Sequence, residues 1–307
     1  MSPFDPPITA IRDVVARALA EDLTPLGDIS AALLPPGATA TAVLRSRAAG
    51  VVAGCACVTE VLDQVDRRLA VEWQVVDGDP VEPGGVVGVV SGPLGSLLTA
   101  ERTALNLLSH LSGVATLTRR FVDAAGPGLR VWDTRKTTPG LRALEKAAVR
   151  AGGGASHRGN LSEWVMLKDN HLELVDMAEA VAQARAWFPA RTVHVECDTH
   201  EKVGEALDAG ADALLLDNMT PEEARACVAT IDAHAEEVGR RRPVVEISGG
   251  ITLETVRAYA DVGADLVSSG SLTSSAPVLD IGLDVVSTWL EGDESGPPER
   301  RRSPGPG

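Results

Sequence analysis

Six short polar runs carry the residues best suited to chemistry, and each follows an apolar stretch: Asp133-Thr134-Arg135-Lys136-Thr137-Thr138, Lys168-Asp169-Asn170-His171, Glu196-Cys197-Asp198, Asp217-Asn218, Ser248-Gly249-Gly250 and Ser269-Gly270-Ser271. From Arg130 to Lys168 the chain holds eight Lys/Arg against three Asp/Glu, a local balance of +5 within a net charge of −15. Clustered cations repel one another unless a ligand offsets them, so this reversal points to a site for a multiply charged anion. Arg135, Lys136, Arg158 and Lys168 fall at strand ends or in a glycine-rich loop, where a functional reading is favoured. Arg142, Lys146 and Arg150 recur at helical spacing and read as a solvated stripe, with Arg142 and Lys146 able to border the site.

Glu196 and Asp217 are the acidic pair. Paired carboxylates can serve a hydrolase as acid and base. In surroundings this basic they read better as partners of a developing cation or as ligands of a Mg²⁺ carrying pyrophosphate, with ion pairing to nearby lysines as the plainer account. Gly152-Gly153-Gly154, ahead of Ala155-Ser156-His157-Arg158-Gly159, gives a loop whose backbone can approach a ligand, although a glycine triplet is more often simply flexible. Ser248-Gly249-Gly250-Ile251-Thr252 opening a helix, with Gly270-Ser271 one unit later, is more specific: free N–H groups and a helix dipole there favour phosphate. Ordinary tight turns are the alternative. Cys197 sits between Glu196 and Asp198, and two carboxylates would weaken a thiolate, so it is not read as a nucleophile.

These groups need elements to hold them. Ile11, Val14, Val15, Ala18 and Leu19 predict an amphipathic helix over 8–20. Runs at 42–46, 50–54 and 71–76, continued through 77–92, read as a small antiparallel region. Its turns resemble those of a biotinyl or lipoyl carrier but hold no lysine for attachment. A helix follows over 98–125. Then strands at 129–133, 164–167, 192–196, 213–216, 244–247 and 266–269 alternate with helices at 141–151, 175–188, 201–209, 221–238 and 253–262. Thr220, Pro221 and Glu223 form a capping box for one of them. The alternation predicts a parallel sheet, and six strands rather than eight predict an incomplete, open αβ barrel, class α/β, with the polar runs at the carboxyl ends of its strands. Residues 291–307, including Arg300, Arg301 and Arg302, read as a solvated, disordered tail.

Composition bounds the rest. The chain has 307 residues, 44% apolar and 3% aromatic, enough for a sizeable core packed from small side chains. Its acidity argues against a nucleic-acid or membrane-surface binder. Cys55, Cys57, Cys197 and Cys227 form no metal-type pattern and read as buried thiols in a reducing compartment. No amino-terminal targeting pattern and no membrane-length apolar run occurs, so a cytoplasmic protein is expected.

Taken together, the motifs resemble the quinolinate phosphoribosyltransferases (carboxylating nicotinate-nucleotide pyrophosphorylases). The resemblance lies in Glu101-Arg102-Thr103-Ala104-Leu105-Asn106, Asp133 to Gly140, Gly152 to Arg158, Leu167 to His171, Leu216-Asp217-Asn218-Met219 and Glu246 to Ile251, and it runs from about Glu21 to Asp284. It implies an N-terminal α/β open sandwich domain over 1–112, joined by part of 275–290, and the barrel over 113–274. It also implies a homodimer with shared active sites, no organic cofactor, and transfer of a phosphoribosyl group from phosphoribosyl pyrophosphate, with Mg²⁺, to quinolinate. Carried over by position, Arg135, His157, Arg158 and Lys168 would hold the two quinolinate carboxylates, beside Thr134, and Arg102 would reach in from the partner subunit. Lys136, Glu196 and Asp217 would surround ribose and pyrophosphate, and Ser248, Gly249, Gly250 and Gly270 would cradle the 5′-phosphate.

Three positions depart from the family pattern: Ser274 stands for a usual histidine, Ser156 for an asparagine and His194 for a glutamate. Two other readings remain at this stage. One is a homologous transferase with a changed acceptor, either nicotinate or that of the type encoded with molybdate transporters. The other is a non-catalytic phosphate-binding barrel or carrier module, which leaves Lys136, Glu196 and Asp217 without a task.

Overall fold

The computed structural model describes residues 5–290, so the expected tail with its three arginines lies outside the described residues. Helix α1 (Ile8–Leu23) buries Ile11, Val14, Val15 and Leu19 on one stripe. Strands β1 (Ala38–Ser46) and β2 (Gly50–Val51) lead to α2 (Cys55–Val65). Strands β3 (Ala70–Trp73), β4 (Pro80–Val81) and β5 (Val86–Pro93) precede the long helix α3 (Leu94–Ala125). The barrel elements follow as β6 (Arg130–Trp132), α4 (Arg142–Ala151), β7 (Val165–Leu167), α5 (Asp169–Leu172), α6 (Met177–Trp187), β8 (Val193–Cys197), α7 (His200–Asp208), β9 (Ala213–Asp217), α8 (Pro221–Val238), β10 (Val244–Ser248), β11 (Leu266–Ser268) and α9 (Ser271–Ser274). Strand β12 (Ile281–Leu290) ends the described chain.

The chain divides into two compact units, one reaching Thr116 and resuming at Pro277, the other Leu117–Ala276. In the first, an antiparallel sheet runs β12-β1-β5-β3, and β12 pairs with the whole length of β1. Residues 50–54 are not all strand as expected. Only Gly50–Val51 pairs, and α2 begins directly after Gly54, whose φ of 103° is left-handed. The cause lies far along the chain. The buried Asp77 carboxylate accepts from the N–H of Gly54 (2.9 Å) and of Cys55 (3.0 Å), doing for this helix start what a neighbouring cap residue usually does.

In the second unit, six parallel strands run β6-β11-β10-β9-β8-β7. Strands β6 and β7, consecutive in the chain, lie at opposite ends of this order, so the sheet is an open barrel with its seam between them. A single parallel bridge, Trp132 with Ala155, lays the glycine-rich loop along β6 at that seam. The triplet is there for packing. A Cβ on Gly154 would come within 2.8 Å of Thr118 Cγ2 and 2.9 Å of Val149 Cγ1, and Gly153, at φ +90°, lies against Arg119. The helix expected over 253–262 is reduced to a 3-10 turn, Val256–Tyr259. Thr252 and Thr255 bond each other locally, and the Tyr259 hydroxyl is drawn to Met219 O at 2.9 Å, which ties the segment down before an α-helix can propagate. Helix α8 has the foreseen capping box, with Thr220 and Glu223 exchanging bonds. Among the described residues no helix is long and apolar enough to cross a membrane.

Candidate active site

Strand register decides which side chains meet. Leu167 is level with Val195, which sets Lys168 beside Glu196, and their side chains form an ion pair. Ser248 is level with Asp217, and Ser268 with Trp132, which brings Gly270 beside Thr134. All six polar runs therefore lie at the carboxyl edge of one sheet, where the inward side chains of such barrels converge.

The cations fall into two sets. Arg158 is buried, 7% exposed, and its Nη2 reaches Met166 Sδ at 3.4 Å. Burial and then the charge of Arg135 push the Arg158 guanidinium below its ordinary range, with Glu246 and Glu196 opposing. Arg135 is half-buried, and its Nε is shut from solvent without a hydrogen-bond partner. Arg135, Arg158 and Lys168 are thus linked through mutual repulsion and the shared carboxylate Glu196. Lys136 stands apart from them, exposed, with its backbone N–H bonded to Thr134 Oγ1 (3.0 Å) and its carbonyl held by Thr273 Oγ1 (2.8 Å). Arg102 is exposed on α3, in the first unit.

The expected solvated stripe on α4 is a correction. Lys146 is 6% exposed, pairs with the fully buried Asp133 and donates to His157 O at 2.8 Å. Burial acts against both charges, raising the Asp133 carboxyl and lowering the Lys146 ammonium, and their pairing opposes it. Asp133 also accepts from the His157 N–H at 2.8 Å. Arg142 donates to Thr137 Oγ1 (3.0 Å), Gly159 O (3.0 Å) and Arg135 O (3.3 Å), and Arg150 to Ser156 Oγ (3.1 Å). The helical face holds in place the two loops that carry Arg135 and Arg158. Periodicity located these residues on one face but could not say that the face turns inward.

In the middle of the edge, after β9 and β10, Asn218 adopts φ 57° and its N–H donates to Ser248 O (3.0 Å), while its side-chain amide donates to Asp217 Oδ2 (2.7 Å). Gly249, at φ +83°, leaves no room for a Cβ, which would fall 2.3 Å from Asn218 Oδ1. Gly250 is also left-handed, at φ +61°. At Gly270 a Cβ would lie 2.7 Å from Lys136 Cδ, so the glycine admits the lysine stem. Ser274 Oγ, at the position of the usual histidine, bonds back to Gly270 O at 2.9 Å.

Glu196, one residue before the end of β8, and Asp217, the last residue of β9, lie on adjacent strands, and among the described residues no three His, Cys, Asp or Glu converge as a metal set. Two carboxylates suit a largely hydrated divalent ion shared with substrate phosphates rather than a closed cage. Burial, the largest cause, pushes the Cys197 thiol up to about 12, which removes it as a nucleophile.

Sequence reasoning missed an interior group. Glu246, 1% exposed, faces His157 Nε2 at 3.2 Å and accepts from Ser268 Oγ at 2.5 Å. The His157 ring is edge-on to Trp164 (4.8 Å) and Trp132 (6.2 Å), and Trp164 stacks on His194 at 4.9 Å and 14°. A carboxylate flanked by apolar residues in the middle of a strand (Val245-Glu246-Ile247) was the available signal.

Comparison with known proteins gives a consistent result. Residues 28–112 match the model of the quinolinate phosphoribosyl transferase N-terminal domain, and residues 114–284 that of its C-terminal domain. The carboxylating nicotinate-nucleotide pyrophosphorylase of Mycobacterium leprae is 40% identical over 281 residues, covering 90% of this chain and 97% of that protein. Among solved structures, NadC from Streptococcus pyogenes matches at 40% identity and a TM-score of 0.85, over 92% of this chain and 99% of the other. The nicotinate-nucleotide pyrophosphorylase of Francisella tularensis matches at 32% identity and TM-score 0.85, over 92% and 98% of the two chains.

Proposed function

The chain belongs to the quinolinate phosphoribosyltransferase family, and on that premise we propose how its residues divide the work of the reaction. The activity is transfer of a phosphoribosyl group from phosphoribosyl pyrophosphate to quinolinate with decarboxylation, a pentosyl transfer of NAD biosynthesis. One observation carries the division of labour: three linked cations, Arg135, Arg158 and Lys168, at one edge of a chain that is otherwise strongly acidic.

These three, with His157 and Thr134, hold the two carboxylates of quinolinate so that its ring nitrogen faces the anomeric carbon. The nitrogen lone pair forms the new C–N bond as the bond to pyrophosphate breaks, and the electron pair leaves with pyrophosphate. Positive charge grows on the ribose, and Glu196 and Asp217 stabilise it, while Lys136 holds the departing phosphates. Glu196 and Asp217 are the residues that would hold a Mg²⁺ accompanying phosphoribosyl pyrophosphate, and the ion would supply charge to neutralise the departing pyrophosphate. Ser248, Gly249, Gly250 and Gly270 cradle the 5′-phosphate with backbone N–H groups. Loss of the 2-carboxylate as CO2 then leaves an electron pair on the carbon beside the cationic ring nitrogen, which stabilises it until a proton is taken up. No organic cofactor is required for that step. The working assembly in this reading is a cytoplasmic homodimer in which Arg102 completes the partner's site.

The test is direct. Purified protein supplied with quinolinate, phosphoribosyl pyrophosphate and Mg²⁺ yields nicotinate mononucleotide with equimolar CO2. Product from nicotinate and never from quinolinate overturns the acceptor.

A further inference from the structure

We propose that a second binding site lies at the amino edge of the parallel sheet, in a cavity that takes a nucleotide independently of the catalytic edge. Thr192, Asp212 and Pro243 line this cavity, and each directly precedes a strand: β8, β9 and β10. Asp217 and Ser248 end β9 and β10 at the opposite edge, about 15 Å away along strands of this length.

The cavity measures about 530 Å³, within the roughly 300–1,000 Å³ usual for small-molecule sites. Four arginines line it, Arg185, Arg240, Arg241 and Arg242, against one lining carboxylate, Asp212. Two of the four are committed. Arg185, in the last turn of α6, pairs with Asp212 at 3.0 Å and donates to Gly210 O, just beyond the end of α7. Arg242 pairs with Asp232 and Asp265, both at 2.6 Å, and donates to Gly263 O at 2.6 Å. Offsetting carboxylates and open carbonyls is the ordinary task of arginines near helix ends. Arg240 and Arg241 have no such task. Both are exposed, and neither guanidinium has an ion-pair or hydrogen-bond partner among the described residues. With Asp232 and Asp265 counted, four arginines still face only three aspartates, a balance of +1 in a chain of net charge −15. Two unpaired neighbouring cations repel each other, and a bound anion relieves that repulsion.

The rest of the lining defines the ligand. Leu207, Ala235, Val238 and Pro243 form an apolar wall, and Val238 is 45% exposed. Thr192 Oγ1 and the His234 ring, also in the lining, have no hydrogen-bond partner among the described residues. A guanidinium grips phosphate oxygens in a fork and also stacks on a flat aromatic ring. A phosphate joined through a sugar to an aromatic base uses both properties. Its base lies against the apolar wall, and its sugar hydroxyls are left to Thr192 and His234. A bare inorganic anion leaves that wall unused.

Adenosine monophosphate is the probe, titrated calorimetrically into the full chain. The wild type is expected to bind it, and the double variant Arg240→Ser/Arg241→Ser to bind it about tenfold more weakly or worse. Adenosine and inorganic phosphate are each expected to bind the wild type at least about tenfold more weakly than the nucleotide. Val238→Trp, at an exposed position of the wall, fills the cavity and removes binding by an independent route. Urea midpoints equal to wild type establish that the variants are folded. In the double variant, kcat and both KM values measured without the nucleotide stay within about twofold of wild type, since neither arginine lies at the catalytic edge. Photolysis with 8-azidoadenosine monophosphate and peptide mapping then locates the site, with label expected in segments 185–192 or 234–244. Label confined to the segments holding Ser248–Gly250 or Gly270 overturns the proposal, because those belong to the catalytic edge. Failure of the wild type to bind the nucleotide, or an affinity unchanged in both folded variants, overturns it as well. Inorganic phosphate binding as tightly as the nucleotide overturns the assigned ligand class.

Discussion

The cations of this site differ in what surrounds each one, and that difference fixes what each substitution does. Arg135 is half-buried with an unpartnered guanidinium nitrogen, beside the buried Arg158, whereas Lys136 is exposed and threaded past Gly270. Replacing Arg135 by Ala is expected to raise quinolinate KM on the order of 10- to 100-fold with a smaller loss in kcat, since it removes a contact made to the bound ground state. Lys136→Ala is expected to lower kcat or donor use by a similar factor and leave quinolinate KM nearly unchanged. Steady-state kinetics with each substrate varied in turn distinguishes the two, and wild-type-like values in both would remove the assignment. Residue types and spacing indicated which groups belong together. They did not reveal Glu246, because a glutamate inside a strand looks the same in sequence whether it points to solvent or into a barrel.

At the scale of elements, local and distant control can be separated. Helix α8 is specified by its own first turn, through Thr220, Pro221 and Glu223. Helix α2 starts where Asp77, more than twenty residues away, accepts two backbone N–H groups at 2.9 and 3.0 Å. Asp77→Ala is therefore expected to destabilise the first unit by about 1–3 kcal/mol, read as a lower urea midpoint with unchanged slope. Thr220→Ala should cost about 1 kcal/mol, from loss of one cap. An Asp77→Ala protein as stable as the wild type would refute the distant-cap account. The same contrast explains why the helix at 221–238 was legible to the residue, while α2 was missed and 253–262 was over-assigned.

For the whole molecule, stability and assembly give two further tests. His194 is held neutral by burial, with its titration moved from 6.5 down to about 4. Between those values the unfolded chain binds a proton that the native chain does not, so stability falls as pH drops from about 6.5 to about 4, by about 3 kcal/mol in total. His194→Phe is expected to flatten that part of the urea-midpoint profile; an equal slope in both proteins would contradict it. If active sites are shared between subunits, mixing inactive Arg102→Ala with inactive Lys136→Ala restores part of the activity in verified hybrid dimers. Absence of any recovery would argue against sharing.

The sequence by itself determined the αβ alternation, the six strands, the polar runs at their carboxyl ends and the family motifs, because period, caps and turn residues are local and each acts within a few positions of itself. Only the tertiary structure decided which cations are free to bind and which are committed. Lys146 and Arg142, a plausible surface stripe by periodicity, are spent on Asp133 and on loop carbonyls, while Lys168 meets Glu196 because of strand register. Burial, register and pairing across 13 to 89 positions of chain, as in Lys146 with Asp133 and His157 with Glu246, depend on three-dimensional closure. No pattern read along one dimension contains them.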